Sequence, residues 1–304
     1  MECEKIYPGI RKSFLLLVLF LVLHMIVSYL AAFFISIFDI LGKVFRGEDI
    51  EQSVEMIEEF ILSNSGYISI IALIIPTIII GFIIMTKRQI TLSDLLFQNI
   101  DKAKIKMLII LTITTLLILI FNLYISSFLI IIFNLNELFT AGSEAIAYAI
   151  SGLQGFLLAL IVAPIAEEII FRGLFLEGIA SRHSAKKSIF TTAFMFSIFH
   201  MNLPQLIPSF ILGLFLGYVY IKTKSLILCI YIHFVNNIIP FVVSQIDFEG
   251  VSEEVETTLT IGATDIFIFI SFTILLFISL LYLKNYFDKL EDDPINNSGE
   301  SLNI

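Results

Sequence analysis

Ala163-Pro164-Ile165-Ala166-Glu167-Glu168-Ile169-Ile170-Phe171-Arg172-Gly173 stands inside an apolar segment that reads as one helix over 147–180. A hydrophobic run of that length predicts a membrane span. It is longer than a simple span, and Pro164 is where a break is expected. Yet Glu167, Glu168 and Arg172 put three ionisable groups within six residues of this run. At the bilayer centre such groups are costly unless they face protein or a water-filled cavity. The stretch therefore predicts a bundle of spans around a polar interior.

Hydropathy on either side agrees. Helices are predicted at 13–38, 67–86, 107–133, 147–180, 189–201, 206–221, 225–243 and 264–284, which makes an all-α polytopic membrane protein of about eight spans. The chain is 58% apolar and only 15% charged, with a mean hydropathy of +0.97. These values exclude an ordinary soluble domain. No basic stripe with interleaved aromatics points to nucleic acid. Residues 1–12 read as a cytoplasmic tail, 13–285 as the transmembrane domain and 286–304 as a disordered tail rich in Asp, Asn and Ser. Arg11 and Lys12 precede an apolar run too long for a signal peptide, so a retained first helix is expected. The connector 39–66 carries an amphipathic stretch at 50–62 that suits the membrane surface. Cys3 and Cys229 lie far apart and are read as unpaired.

Loop charges test the topology. With a cytoplasmic N-terminus, the inside segments hold fifteen basic residues and the outside segments only Lys43 and Arg46, while Arg172 lies within the membrane. The positive-inside rule then puts both termini in the cytoplasm. The acidic loop within 245–265 faces outward. The Ile-, Lys- and Asn-rich composition suggests a microbial cell membrane.

Helix geometry sorts the buried charges. Glu168 and Arg172 are four apart, with the acid N-terminal, so they share a face and suit an ion pair. Glu167 lies about 100° round the helix and lacks that registered cation. It remains the chemically available carboxylate, placed to act as a general base. Two other spans carry polar residues: Phe196-Ser197-Ile198-Phe199-His200 and His233-Phe234-Val235-Asn236-Asn237. His233 and Asn237 fall on one face, and Asn236 points to another. At ~1.5 Å per residue, Glu167, His200 and His233 lie roughly 20, 16 and 12 Å from the cytoplasmic ends of their helices, depths that let them meet in one cavity.

Glu-Glu-x-x-x-Arg at 167–172, Phe-x-x-x-His at 196–200 and His-x-x-x-Asn at 233–237, in this order, resemble the CAAX prenyl protease and bacteriocin-processing family, also called Abi. The Gly213-x-x-x-Gly217-Tyr218 stretch and the turn Lys222-Thr223-Lys224-Ser225-Leu226 fit as well. The resemblance covers about 160–240; the first three helices contribute hydropathy alone. It implies an eight-helix intramembrane endopeptidase whose eukaryotic members remove the C-terminal tripeptide of prenylated proteins. It also implies that Glu167 and His200 activate water while His233 and Asn237 stabilise the oxyanion. Glu168, Arg172 and Phe196 are then supporting residues.

Glu167, His200 and His233 also have the donor types of a three-ligand zinc site. No His-Glu-x-x-His helix is present to require one, and metal-independent water activation is the favoured reading. The expected partners are the bilayer and a membrane-associated peptide or lipidated protein, either a prenylated CAAX protein or a bacteriocin-like peptide. Two other functions compete: a non-catalytic scaffold or peptide-immunity protein, and an ion-coupled transporter using the buried charges. No inverted repeat supports the transporter.

Overall fold

A computed structural model describes residues 6–47, 57–99, 105–245 and 262–292. Every regular element among them is helical: α1 Ile10–Arg46, α2 Ile57–Ser63, α3 Ser65–Arg88, α4 Leu92–Leu96, α5 Ile105–Phe133, α6 Asn136–Ala149, α7 Gly152–Ala180, α8 Ala185–Phe199, α9 Leu203–Thr223, α10 Leu226–Ser244 and α11 Ala263–Asp292. Seven of these, α1, α3, α5, α7, α9, α10 and α11, are long and apolar enough to cross a bilayer. The chain is an all-α polytopic membrane protein. The eighth expected span, α8, has only 15 residues, short of the ~18 that mark a crossing helix.

Differences from the sequence reading lie mainly at helix ends. α1 continues to Arg46 and stops at Gly47, whose φ of 73° closes the helix, with the basic residues Lys43 and Arg46 in its last turn. α6 occupies a stretch read as a connector. The last helix runs on to Asp292 rather than 284. Of the surface stretch 50–62, only Ile57–Ser63 lies in a described helix, and residues 246–261 of the acidic loop lie outside the described residues.

α7 is the axis of the bundle, with 61% of its span buried, whereas α5 and α11 have 11% buried and form the lipid-facing rim. α7 does not break at Pro164. Two wide turns instead flank its central α-helical segment: π-helix at Phe156–Val162 and again at Ile169–Leu176. Such turns concentrate at functional sites because they displace side chains from the regular register.

α8 and α9 form the tightest pair, and two glycines on α9 allow it. A Cβ on Gly213 would stand 3.0 Å from the Ala193 Cα and 3.3 Å from the Phe196 ring. A Cβ on Gly217 would stand 3.1 Å from Ile189. Small residues at this spacing let membrane helices approach closely where no hydrophobic effect separates lipid from protein. Hydroxyls tie the rim: Thr112 meets Tyr231 of α10 at 2.6 Å, and Thr114 meets Ser279 of α11 at 2.7 Å. At the opposite end of α7, Lys224 pairs with Glu177 at 2.7 Å, and Arg88 donates to the Gly173 carbonyl at 3.0 Å.

Candidate active site

α7 supplies Glu167, Glu168 and Arg172, the turn after α8 supplies His200, and α10 supplies His233, Asn236 and Asn237. The structure brings Glu167, Glu168, Arg172, Phe196, His200 and His233 into one cluster, with Asn237 one turn beyond His233 on α10. His200 is displayed by a bend: α8 ends at Phe199, and Met201 takes a φ of 46° before α9 begins.

The predicted ion pair is present. Arg172 Nη1 donates to Glu168 Oε1 at 2.9 Å with both side chains fully buried. The guanidinium also faces the Gly213 carbonyl at 3.4 Å and lies 4.4 Å from the centre of the Phe196 ring. Glu168 has a second partner that the spacing did not reveal, His233 Nδ1 at 2.9 Å from the same Oε1. A carboxylate oxygen held by arginine can only accept, so His233 carries a proton on Nδ1.

Glu167 is different. Both carboxylates are buried and leave Oε2 without a hydrogen bond, but Glu168 is anchored through Oε1, whereas among the described residues no cationic side chain comes closer to Glu167 than 3.8 Å. Glu167 Oε2 faces His200 Nε2 at 3.8 Å and His233 Nε2 at 3.9 Å, separations too long for a direct bond and of the kind that a water bridges. His200 Nδ1 lies 2.8 Å from the Phe196 carbonyl, which again requires the proton on Nδ1 and leaves a lone pair on Nε2 of the neutral ring. Phe196 touches both imidazoles edge-on, at 4.8 Å from His200 and 5.8 Å from His233. Its role is packing between the two rings and under the guanidinium.

Asn237 donates through Nδ2 to the Ala159 carbonyl at 2.9 Å, and its Oδ1 accepts from Asn236 at 3.1 Å. The cause lies in α7. Ala163 N–H bonds the Leu158 carbonyl, five residues back. The next donor in that register would be Pro164, which has none, so the Ala159 carbonyl needs a partner from another helix. Asn236, read as pointing elsewhere, orients Asn237.

Beside Glu167 runs a narrow crevice, nowhere wide enough for a water, lined by Ala166, Ile170 and Phe171 of α7, Phe199 of α8, Leu17 and Phe20 of α1, and Leu73 and Thr77 of α3. Helices read only as hydropathy thus form one wall of the site. One of them, α1, carries His24, a polar residue in an apolar run that the motif search passed over. The same test that singled out His200 and His233 applies to it.

The donor types of Glu167, His200 and His233 suit zinc, and each Nδ1 has an outer partner of the kind that metal-binding imidazoles use. As they stand, among the described residues no three His, Cys, Asp or Glu side chains form a group that could hold a metal ion.

Comparison with curated proteins and with solved structures finds no match. A family comparison does. Residues 149–239, which contain α7 to α10 almost entirely and every polar residue of the cluster, match the family described as Type II CAAX prenyl endopeptidase Rce1-like, in agreement with the family that the three motifs resemble.

Proposed function

We propose that the chain is an intramembrane endopeptidase that hydrolyses a peptide bond of a membrane-associated substrate with water activated by Glu167. One observation carries this reading: a buried carboxylate oxygen without a protein partner, faced by two imidazole nitrogens at 3.8 and 3.9 Å. A buried acceptor left unmade is costly and calls for a functional explanation.

In this mechanism a water lies between Glu167 Oε2 and the lone pair of His200 Nε2. As its oxygen bonds to the substrate carbonyl carbon, its proton passes to Glu167. The carbonyl oxygen becomes negative, and Asn237 and His233 are its proposed donors. Nδ2 of Asn237 has a second N–H besides the one given to Ala159. His233, protonated on Nδ1, donates from Nε2 only as the imidazolium. Glu167 then gives its proton to the leaving amine as the C–N bond breaks. Nothing in this sequence of steps uses a metal.

The family description favours a prenylated CAAX peptide as the substrate class, with a bacteriocin-like membrane peptide as the alternative. Purified protein in liposomes, offered prenylated and unprenylated forms of one CAAX peptide, tests both activity and class. Glu167→Gln keeps the volume and removes the base, so cleavage should fall at least ~100-fold with unchanged thermal stability. Full cleavage by a folded Glu167→Gln protein would falsify the mechanism, and loss of wild-type cleavage with a chelator would overturn its metal independence.

A further inference from the structure

α3 contains Pro76, which has no N–H to offer the carbonyl four residues back. That carbonyl belongs to Ala72, and His24 of α1 meets it, with Nδ1 at 3.0 Å from the oxygen. A carbonyl only accepts, so His24 Nδ1 carries the proton and donates. In lipid an unpaired backbone oxygen is expensive, so this bond ties α1 to α3 with a force that apolar contact between helices lacks there.

The tie sits over the crevice that leads to Glu167. Phe20, one turn before His24, lies edge-on to Phe199 at 5.2 Å, and Phe199 lies edge-on to Phe171 at 5.4 Å. Leu17 and Phe20 close the α1 side of the crevice. The buried residues of α1 are confined to Ser13, Leu16, Leu17 and Phe20, and beyond them Met25, Ile26, Tyr29 and Leu30 are exposed on the bilayer side. The crevice admits no water as it stands, so a substrate reaching Glu167 from this side requires a wall to move. Among the spanning helices that wall the crevice, α1 has the smallest buried share, 22% against 39% for α3 and 61% for α7.

We propose that α1 is a lateral door between the bilayer and Glu167, latched by His24 on the carbonyl that Pro76 leaves open, and that it admits an apolar chain lying in the membrane. The purpose of the door rests on the proteolytic reading; its motion does not, and the test reads motion directly. Ala166 lines the crevice beside Glu167 and is buried. In protein with Cys3 and Cys229 replaced by alanine, Ala166→Cys reports opening through its rate of reaction with a membrane-soluble maleimide in liposomes.

His24→Ala should speed labelling about 5-fold, the factor that one hydrogen bond of ordinary net strength contributes to an opening equilibrium. His24→Gln, which keeps an amide donor, should return the rate towards wild type. Pro76→Ala supplies an N–H to Ala72 within α3, removes the acceptor from His24 and should speed labelling equally. The double variant should be no faster than either single one, because both remove one bond. An unchanged rate in His24→Ala, or additive effects in the double variant, overturns the latch. Labelling that responds as described in a protein that cleaves no peptide leaves the door standing and removes the protease.

Discussion

Glu168 and Glu167 are neighbours in the chain with opposite fates. Glu168 is anchored through Oε1 by Arg172 and His233, both at 2.9 Å, while the imidazoles that face Glu167 stand 3.8 and 3.9 Å away. The i, i+4 spacing made the first pairing readable, because helix geometry alone puts 168 beside 172. The bond to His233 was not readable: it depends on how α10 rotates against α7. Removing one member of a buried pair strands the other, so Glu168→Ala or Arg172→Ala should each cost about 3 kcal/mol in thermal stability. Glu168→Ala should harm cleavage more, since it also frees His233, whereas Arg172 keeps Phe196 and the Gly213 carbonyl. The double change should recover part of the stability. Purely additive losses in a double-mutant cycle would refute the pairing.

At the scale of the helix, α7 is unusual in leaving carbonyls for other helices to satisfy. Pro164 was expected to break it, by the ordinary behaviour of proline in a helix interior. In the structure the helix widens to π turns on either side, and Asn237 covers the carbonyl that lacks a donor. Asn237 therefore has a structural duty besides the catalytic one proposed for it, and the two separate experimentally. Asn237→Leu should lower stability by about 1–3 kcal/mol, the cost of a buried unpaired acceptor. Adding Pro164→Ala returns an N–H to the Ala159 carbonyl and should recover most of that stability without recovering cleavage. Recovery of neither property would mean that the carbonyl is not what Asn237 protects.

For the whole molecule, parity is informative. Seven crossing helices would put the termini on opposite sides, against the loop charges. The orientation expected from the loop charges requires α8, whose 15 residues rise roughly 22 Å, and α9 to enter and leave the bilayer from one side, with His200 at their bend. Either as two crossings or as a re-entrant pair, they keep the count even. Ser184→Cys, before α8, should react with a membrane-impermeant thiol reagent only from the cytoplasmic face. Arg46→Cys, at the end of α1, should react only from the outside, with Cys3 and Cys229 replaced in both. Labelling of both positions from one face would show that the positive-inside assignment is wrong.

Hydropathy and loop charge determined the class, the approximate spans and the expected orientation, because transfer into lipid is a local property of some twenty residues at a time. Residue type and helical spacing likewise marked out Glu167, Glu168, Arg172, His200, His233 and Asn237, since polar groups in an apolar run stand out without neighbours. Only the tertiary structure decided what each one touches. His233 on Glu168, Asn237 on Ala159, His24 on Ala72 and the wall formed by α1 and α3 all depend on how helices rotate and approach one another. In a bilayer that rotation is set by close packing and by the unpaired carbonyls of prolines, and neither leaves a periodic trace in the sequence.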